Sequence, residues 1–297
     1  MTSDKGALFH PDDASSSKKH DLTLSVCDGL GYVNNTYVSV GSKENVVPSL
    51  KISASVGLNG VNKTKDVVKT KRRLVALGFR WLIPDGKRAD GKMGPETIRA
   101  IQLFQAIKNG FDIVINRKND GRIDPGGDTH LWLQATNAPR WIRMPAGSVA
   151  EGYVNDEVAD MSDNHDFGTD WLANTLRATG AAYKASFLKA NPRASVLRVN
   201  DTSMPRGGDT PDHAGHETGL VCDIFLPRRD GGAGGIVVTH PKYDRAAMRA
   251  MLKAFLAQPL ADRVLLNDSV LVSEGLCRPA AGHENHAHLE IKPPLRK

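Results

Sequence analysis

No stretch of this chain approaches the roughly 18 consecutive apolar residues of a membrane-spanning helix, which excludes a helical span. The first 30 residues, M-T-S-D-K-G-A-L-F-H-P-D-D-A-S-S-S-K-K-H and onward, lack a basic start followed by an apolar core. A Sec-type leader is therefore not expected, and synthesis as a cytoplasmic product is. Cysteine is scarce: Cys27, Cys222 and Cys277 are too few and too scattered for a disulfide framework or a C-x-x-C metal knuckle. Cys222, beside Asp223 in an apolar run, is expected to be a small buried hydrophobe. A βαβ rhythm and a glycine fingerprint are also missing, which leaves an α+β fold on a mostly antiparallel sheet.

What is present is ordinary for a globular protein: 297 residues, 40% apolar and 24% charged, enough for one large domain or two of common size. Lysine and arginine exceed the acids, 39 against 33, and the isoelectric point is near 9.2. Such a charge suits a polyanionic partner, whether nucleic acid, anionic lipid or an acidic cell-wall polymer, and does not choose among them.

Residues 1–60 read as a polar tail, with S-S-S-K-K at 15–19, followed by a β-rich segment to which no function is assigned. From Lys65 the pattern turns helical. Val67, Val68, Leu74, Val75 and Leu77 recur near helical spacing, the aliphatic stem of Lys71 fills the gap, and Gly78 ends the run. A D-G turn then precedes Pro95 and the apolar Ile98, Ile101, Leu103 and Phe104. A looser copy, D-G-R-I-D-P-G-G-D-T-H-L-W-L at 120–133, points to a duplicated unit of helix and turn. Together Val67, Leu74, Gly78, Phe79, Asp90, Gly91, Gly94, Pro95, Thr97, Ala100, Phe104 and Gln105 give the segment 61–136 a pattern that resembles the peptidoglycan-binding helical domain found beside many cell-wall hydrolases. The P-G-G at 125–127 lengthens the loop before the last helix relative to that family.

Residues 137–163, rich in proline and glycine without a sustained period, read as a linker. An amphipathic helix is expected over 170–188, with Leu172, Leu176, Tyr183 and Phe187 near one face and Thr179 its polar exception. A strand follows at 194–199, a basic helix at 243–256, and one or two strands in R-V-L-L-N-D-S-V-L-V.

Five of the ten histidines fall in two windows, D-H-A-G-H-E-T-G-L-V-C-D-I-F-L at 212–226 and H-E-N-H-A-H-L-E-I at 283–291. His286 and His288 are two apart in a strand pattern, so both imidazoles leave one face while Ala287, Leu289 and Ile291 leave the other. His216 and Asp223 are seven apart, and Gly219 between them offers the bend that lets them meet His288. Two imidazoles and a carboxylate would hold one zinc ion with a position left open for water, whose pKa zinc can lower to about 7. The competing arrangement is a closed structural site, with His283 or His286 as fourth ligand.

The paired motifs H-x-x-x-x-x-x-D and H-x-H resemble those of the superfamily joining lysostaphin-type peptidases, D-Ala-D-Ala carboxypeptidases and hedgehog domains. Over residues 165–295 the chain is similar to the penicillin-insensitive murein endopeptidases, through L-R-V-N-D-T-S-M-P-R-G-G-D-T-P-D-H-A-G-H-E-T-G-L-V-C-D-I and H-E-N-H-A-H-L. Glu217 stands where that family commonly has Gln. The resemblance implies zinc on His216, Asp223 and His288. It makes His286 and His283 a general base and an oxyanion stabiliser in unassigned order, and His213 an orienting or substrate-binding group. Glu217 and Arg206 become candidates for contact with substrate.

The implied activity is cleavage of a peptide cross-link in bacterial peptidoglycan, most naturally D-Ala to meso-diaminopimelate. A D-Ala-D-Ala carboxypeptidase using Arg206 as a carboxylate clamp, and a non-catalytic wall-binding protein with structural zinc, are the alternatives. Peptidoglycan is then the expected partner rather than nucleic acid. An enzyme made without a Sec leader would reach the wall or periplasm through phage-type lysis or as an injected antibacterial effector, the second implying a secretion-machine component and an immunity protein.

Overall fold

Two Asp-Gly turns organise the first part of the structure. The computed structural model describes residues 50–159, 164–211, 213–232 and 234–297; the tail and most of the β-rich segment expected within 1–60 lie outside them. β1 (Val56–Gly57) leads into α1 (Thr64–Ala76), which buries Val67 and Leu74 on one face. Lys71 is buried between them, and its Nζ donates to Lys87 O, Lys92 O and Asp90 Oδ1 at 2.8, 2.6 and 2.6 Å. The chain leaves the helix at Gly78, where φ is 92° and a Cβ would lie 1.9 Å from Trp141 O.

α2 (Pro95–Asn109) starts with Pro95 in its first turn, where a missing N–H costs no helical hydrogen bond. β2 (Arg122–Ile123) pairs with β1 and is followed by α3 (Asp128–Gln134). The sequence duplication has a physical counterpart here. Asp90 accepts from Lys92 N at 3.1 Å and Asp120 from Arg122 N at 3.0 Å, while Gly91 and Gly121 take φ of 66° and 68°. Each turn is gripped from the preceding helix, the first by Lys71 and the second by Gln105, whose Nε2 is 2.7 Å from Asp120 Oδ1.

The stretch 137–163, expected as a linker, carries three strands in its described part. β3 (Trp141–Arg143) pairs with β6 (Phe167–Thr169), and β4 (Gly147–Ser148) and β5 (Tyr153–Asn155) enter a six-stranded sheet. Trp141 is buried with its ring stacked 6.3 Å from Phe79. Strands of two or three residues are too short to show a period, and the glycines mark tight turns between them.

α4 (Asp170–Tyr183) begins at Thr169, whose Oγ1 accepts from Leu172 N, and continues as a π-helical turn over Lys184–Leu188. Thr179, the polar residue on its inner face, donates to Thr175 O at 2.8 Å. β7 (Leu197–Val199), β8 (Val221–Phe225), α5 (Arg245–Leu256), β9 (Ala261–Leu265), α6 (Ser269–Ser273) and β10 (His286–Ile291) complete the chain.

The sheet order is β4-β5-β7-β8-β10-β9, antiparallel except between β5 and β7, so the described residues form an α+β fold. One expectation changes: the N-D-S-V-L-V end of the run read as strand is α6, because Asp268 accepts from Val270 N and Leu271 N and caps a helix there. Cys222 and Cys277 are both free and buried. Among the described residues no helix is long and apolar enough to cross a membrane.

Candidate metal centre

β8 and β10 pair so that His288 lies directly across from Asp223 and His286 across from Phe225. Directly opposed residues of an antiparallel pair share a face, so Asp223, His286 and His288 leave the sheet together. The opposite face of the same two strands, Cys222, Ile224, Ala287 and Leu289, is completely buried in the apolar core. Alternation thus fixes the direction of the site with the direction of the core.

His216 arrives from the loop between β7 and β8. Its Nδ1 donates to Thr202 O at 2.8 Å, which leaves the Nε2 lone pair facing the sheet. The bend expected at Gly219 is present: φ is 63°, Gly219 N donates to Ser203 Oγ at 2.8 Å, and a Cβ there would lie 2.4 Å from Gly168 Cα. Only glycine permits that approach to β6.

Three atoms then converge. His216 Nε2 is 3.1 Å from His288 Nδ1 and 3.4 Å from Asp223 Oδ1, and His288 Nδ1 is 2.8 Å from Asp223 Oδ1. Ligands at 2.0–2.1 Å from a tetrahedral metal are about 3.3 Å apart, so this triangle has nearly the required edges. His288 Nε2 faces Glu290 Oε1 at 3.6 Å, so a carboxylate stands behind the imidazole on the side away from the cluster. In this tautomer of His216, Nε2 is an acceptor, and His288 Nδ1 can give its proton to that nitrogen or to Asp223 Oδ1. The donor set fits a divalent cation that accepts nitrogen and oxygen.

The electrostatics follow from the same crowding. Burial opposes ionisation of Asp223, but hydrogen bonds from His216 and His288 outweigh it and hold the carboxyl far below the usual range. Burial lowers His216 in turn, and its bond to Asp223 with the charges of Asp223 and Asp112 raises it overall. His286, half-buried, is pushed down by desolvation against a partial offset from Asp223.

The flanking histidines are placed as follows. His286 Nδ1 donates to Asn285 Oδ1 at 2.8 Å, and its Nε2 lies 3.5 Å from Asp223 Oδ2. His283 Nδ1 donates to Ala281 O at 2.9 Å, with its ring 4.8 Å from that of His286 and 5.7 Å from that of His288. His213 sits with its ring 4.3 Å from that of His216 and its Nδ1 4.0 Å from Asp223 Oδ2.

Two residues that carried no role in the sequence reading stand behind His213. Asp201 Oδ2 is 3.5 Å from His213 Nε2, and His165, buried, meets the other oxygen of Asp201 at 3.7 Å. The bond to Asp201 raises the His213 pKa and orients its ring. Asp201 was within reach of sequence reasoning, since it lies in the N-D-T-S run before the histidines; His165, more than forty residues upstream, gave no signal.

Two expected substrate contacts are placed differently. Glu217 is buried, and its Oε2 accepts from Val114 N at 2.7 Å, so its carboxylate faces the helical segment. Arg206 is exposed, and among the described residues no hydrogen bond or ion pair ties it to the cluster. A cavity of about 660 Å³, lined by Val149, Arg177, Leu188 and neighbours, shares no residue with the histidines. No family model and no curated protein matches the chain.

Proposed function

We propose that this chain is a zinc-dependent peptidase that hydrolyses amide cross-links of bacterial peptidoglycan. The observation that carries the reading is the triangle of His216 Nε2, Asp223 Oδ1 and His288 Nδ1, with edges of 2.8–3.4 Å and three more imidazoles, His213, His283 and His286, beside it. These three residues would hold the ion. Zinc when bound supplies Lewis acidity toward the scissile carbonyl and lowers the pKa of water to about 7.

The chain's own groups supply the proton transfers. His286 donates through Nδ1 to Asn285, which leaves Nε2 as an acceptor directed at the cluster, and desolvation lowers its pKa. It therefore takes the role of general base, receiving the proton of the attacking water and returning it to the leaving amine. His283, on the same side, is assigned to the developing oxyanion, which it can serve through Nε2 only as the imidazolium, because Nδ1 already donates to Ala281 O. His213, oriented by Asp201, supports the acidic side of the cluster.

The substrate rests on the sequence resemblance of 164–297 to murein endopeptidases and of 61–136 to a wall-binding domain, with a basic chain suited to an acidic polymer. A second reading has one observation in its favour. His213 Nδ1, 4.0 Å from Asp223, is near enough to close the site as a fourth ligand and make the metal structural. Digestion of purified peptidoglycan with and without chelator, followed by product masses, separates the two. Cross-link cleavage that disappears with chelator is expected; intact muropeptides with zinc-loaded protein would leave only the structural reading.

A further inference from the structure

His216 is held from two sides, and only one of them belongs to the histidine cluster. Its φ is 64°, a left-handed conformation that a residue bearing a Cβ disfavours and adopts only when its surroundings impose it. The imposing contact comes from the segment after α2. Asp112 Oδ2 accepts from His216 N at 2.9 Å, and Asp112 Oδ1 accepts from Thr218 Oγ1 at 3.4 Å. Gly215 leaves room for that carboxylate, since a Cβ there would lie 2.1 Å from Asp112 Oδ2. The loop answers in kind: between the two residues that Asp112 holds, Glu217 turns outward and accepts from Val114 N at 2.7 Å. Glu217 O also accepts from Gly208 N at 2.8 Å, tying the start of the loop to the same point.

We propose that Asp112 is a positioning residue for His216, and that Asp112 and Glu217 form a reciprocal clasp through which the helical segment sets the metal affinity of the histidine loop. The assignment rests on the zinc reading above for its consequence, though not for its geometry. His216 sends its imidazole to Asp223 and its amide to Asp112, while Glu217 sends its carboxylate back across the same boundary. Without an acceptor at Asp112 the His216 backbone is free to leave the left-handed region, and the Nε2 position moves with it.

The test uses the full chain and three variants, Asp112→Ala, Asp112→Asn and Asp66→Ala. Asp66 accepts from Ser53 and Ala54 and touches no residue of the loop, so its variant reports loss of a buried carboxylate elsewhere. Zinc affinity by chelator competition, hydrogen exchange of the peptide covering 213–220, and melting temperature are measured on each. Asp112→Ala is expected to weaken zinc about ten- to a hundredfold, as loss of a group supporting a ligand does, and to accelerate exchange of the loop. Asp112→Asn keeps one oxygen for the His216 amide and falls between. Asp66→Ala lowers the melting temperature and leaves zinc affinity and loop exchange unchanged.

The clasp is overturned if both Asp112 variants keep wild-type zinc affinity and loop protection, or if Asp66→Ala weakens zinc equally. A wild-type protein that binds no zinc would end the peptidase reading, and loop exchange alone would then decide the clasp. Faster exchange in Asp112→Asn would support it, and unchanged exchange would reject it.

Discussion

The helical segment and the histidine cluster both bury charged groups, and they resolve the cost in opposite ways. Lys71 is enclosed with three oxygens at 2.6–2.8 Å around its ammonium, and Gln105 divides its amide between Asp120 Oδ1, Arg122 O and Gly121 N. Donors there meet acceptors, and the network is complete as it stands. Around Asp223, by contrast, imidazole nitrogens crowd one carboxylate, and two of them face each other at 3.1 Å. A buried network that is finished serves the fold. One that gathers nitrogen and oxygen donors around a single point has the donor set a cation site would use.

The largest expected effect attacks the open cluster. His216→Ala or His288→Ala removes one of three donors and should lower zinc affinity on the order of a thousandfold, with muropeptide release lost alongside. Retention of zinc in either variant by chelator competition would break the contrast outright. His286→Ala comes next: zinc stays bound, and turnover falls about a hundredfold or more, as for loss of a general base. Equal loss of zinc and activity there would move His286 from the base to the ligand set.

The closed network predicts the reverse pattern. Lys71→Met should cost about 3 kcal/mol of stability by stranding the oxygens around it, measured by urea unfolding, with zinc affinity unchanged. Zinc itself should stabilise the wild-type chain, by about 2.7 kcal/mol at a hundredfold excess over Kd, and should do nothing for His216→Ala. A melting temperature indifferent to zinc in the wild type would deny the cluster its cation.

The smallest effect is a pH dependence in the helical segment. Burial raises the Asp66 carboxyl, but bonds from Ser53 Oγ, Ser53 N and Ala54 N outweigh it and hold the pKa below the usual value. A depressed carboxyl contributes stability above its unfolded pKa of about 3.9 and loses it as pH falls through the native value. Wild type should therefore exceed Asp66→Asn by about 1 kcal/mol near pH 6, and the gap should close below pH 4. A gap that stays constant to pH 2.5 would mean that the carboxylate's charge contributes nothing.

Much of this was legible in the residues. Apolar spacing located α1, α2, α4 and α5, and Gly78 and Pro95 stand at helix ends because glycine relieves a left-handed residue and proline gives up no hydrogen bond in a first turn. Alternation in H-A-H-L-E-I put His286 and His288 on one face and the core on the other. The strands within 141–155 were missed because two- and three-residue strands carry no period, and α6 was missed because its five residues are too few for a helical period and include the β-branched Val270 and Val272.

Local order determined which side chains stand together along each strand and helix, since those relations depend only on backbone period. It also determined that the histidines two apart share one strand face and that the carboxylate of Asp223 lies in a buried run. The tertiary structure decided what lies across from what. It set Asp223 against His288 in register, brought Asp201 and His165 behind His213, and turned Glu217 away from the site toward Val114. It also brought Asp112 to the His216 amide across 104 residues of chain. Pairings at that separation leave no periodic trace, because each is fixed by how packed segments meet rather than by the spacing of residues along either one.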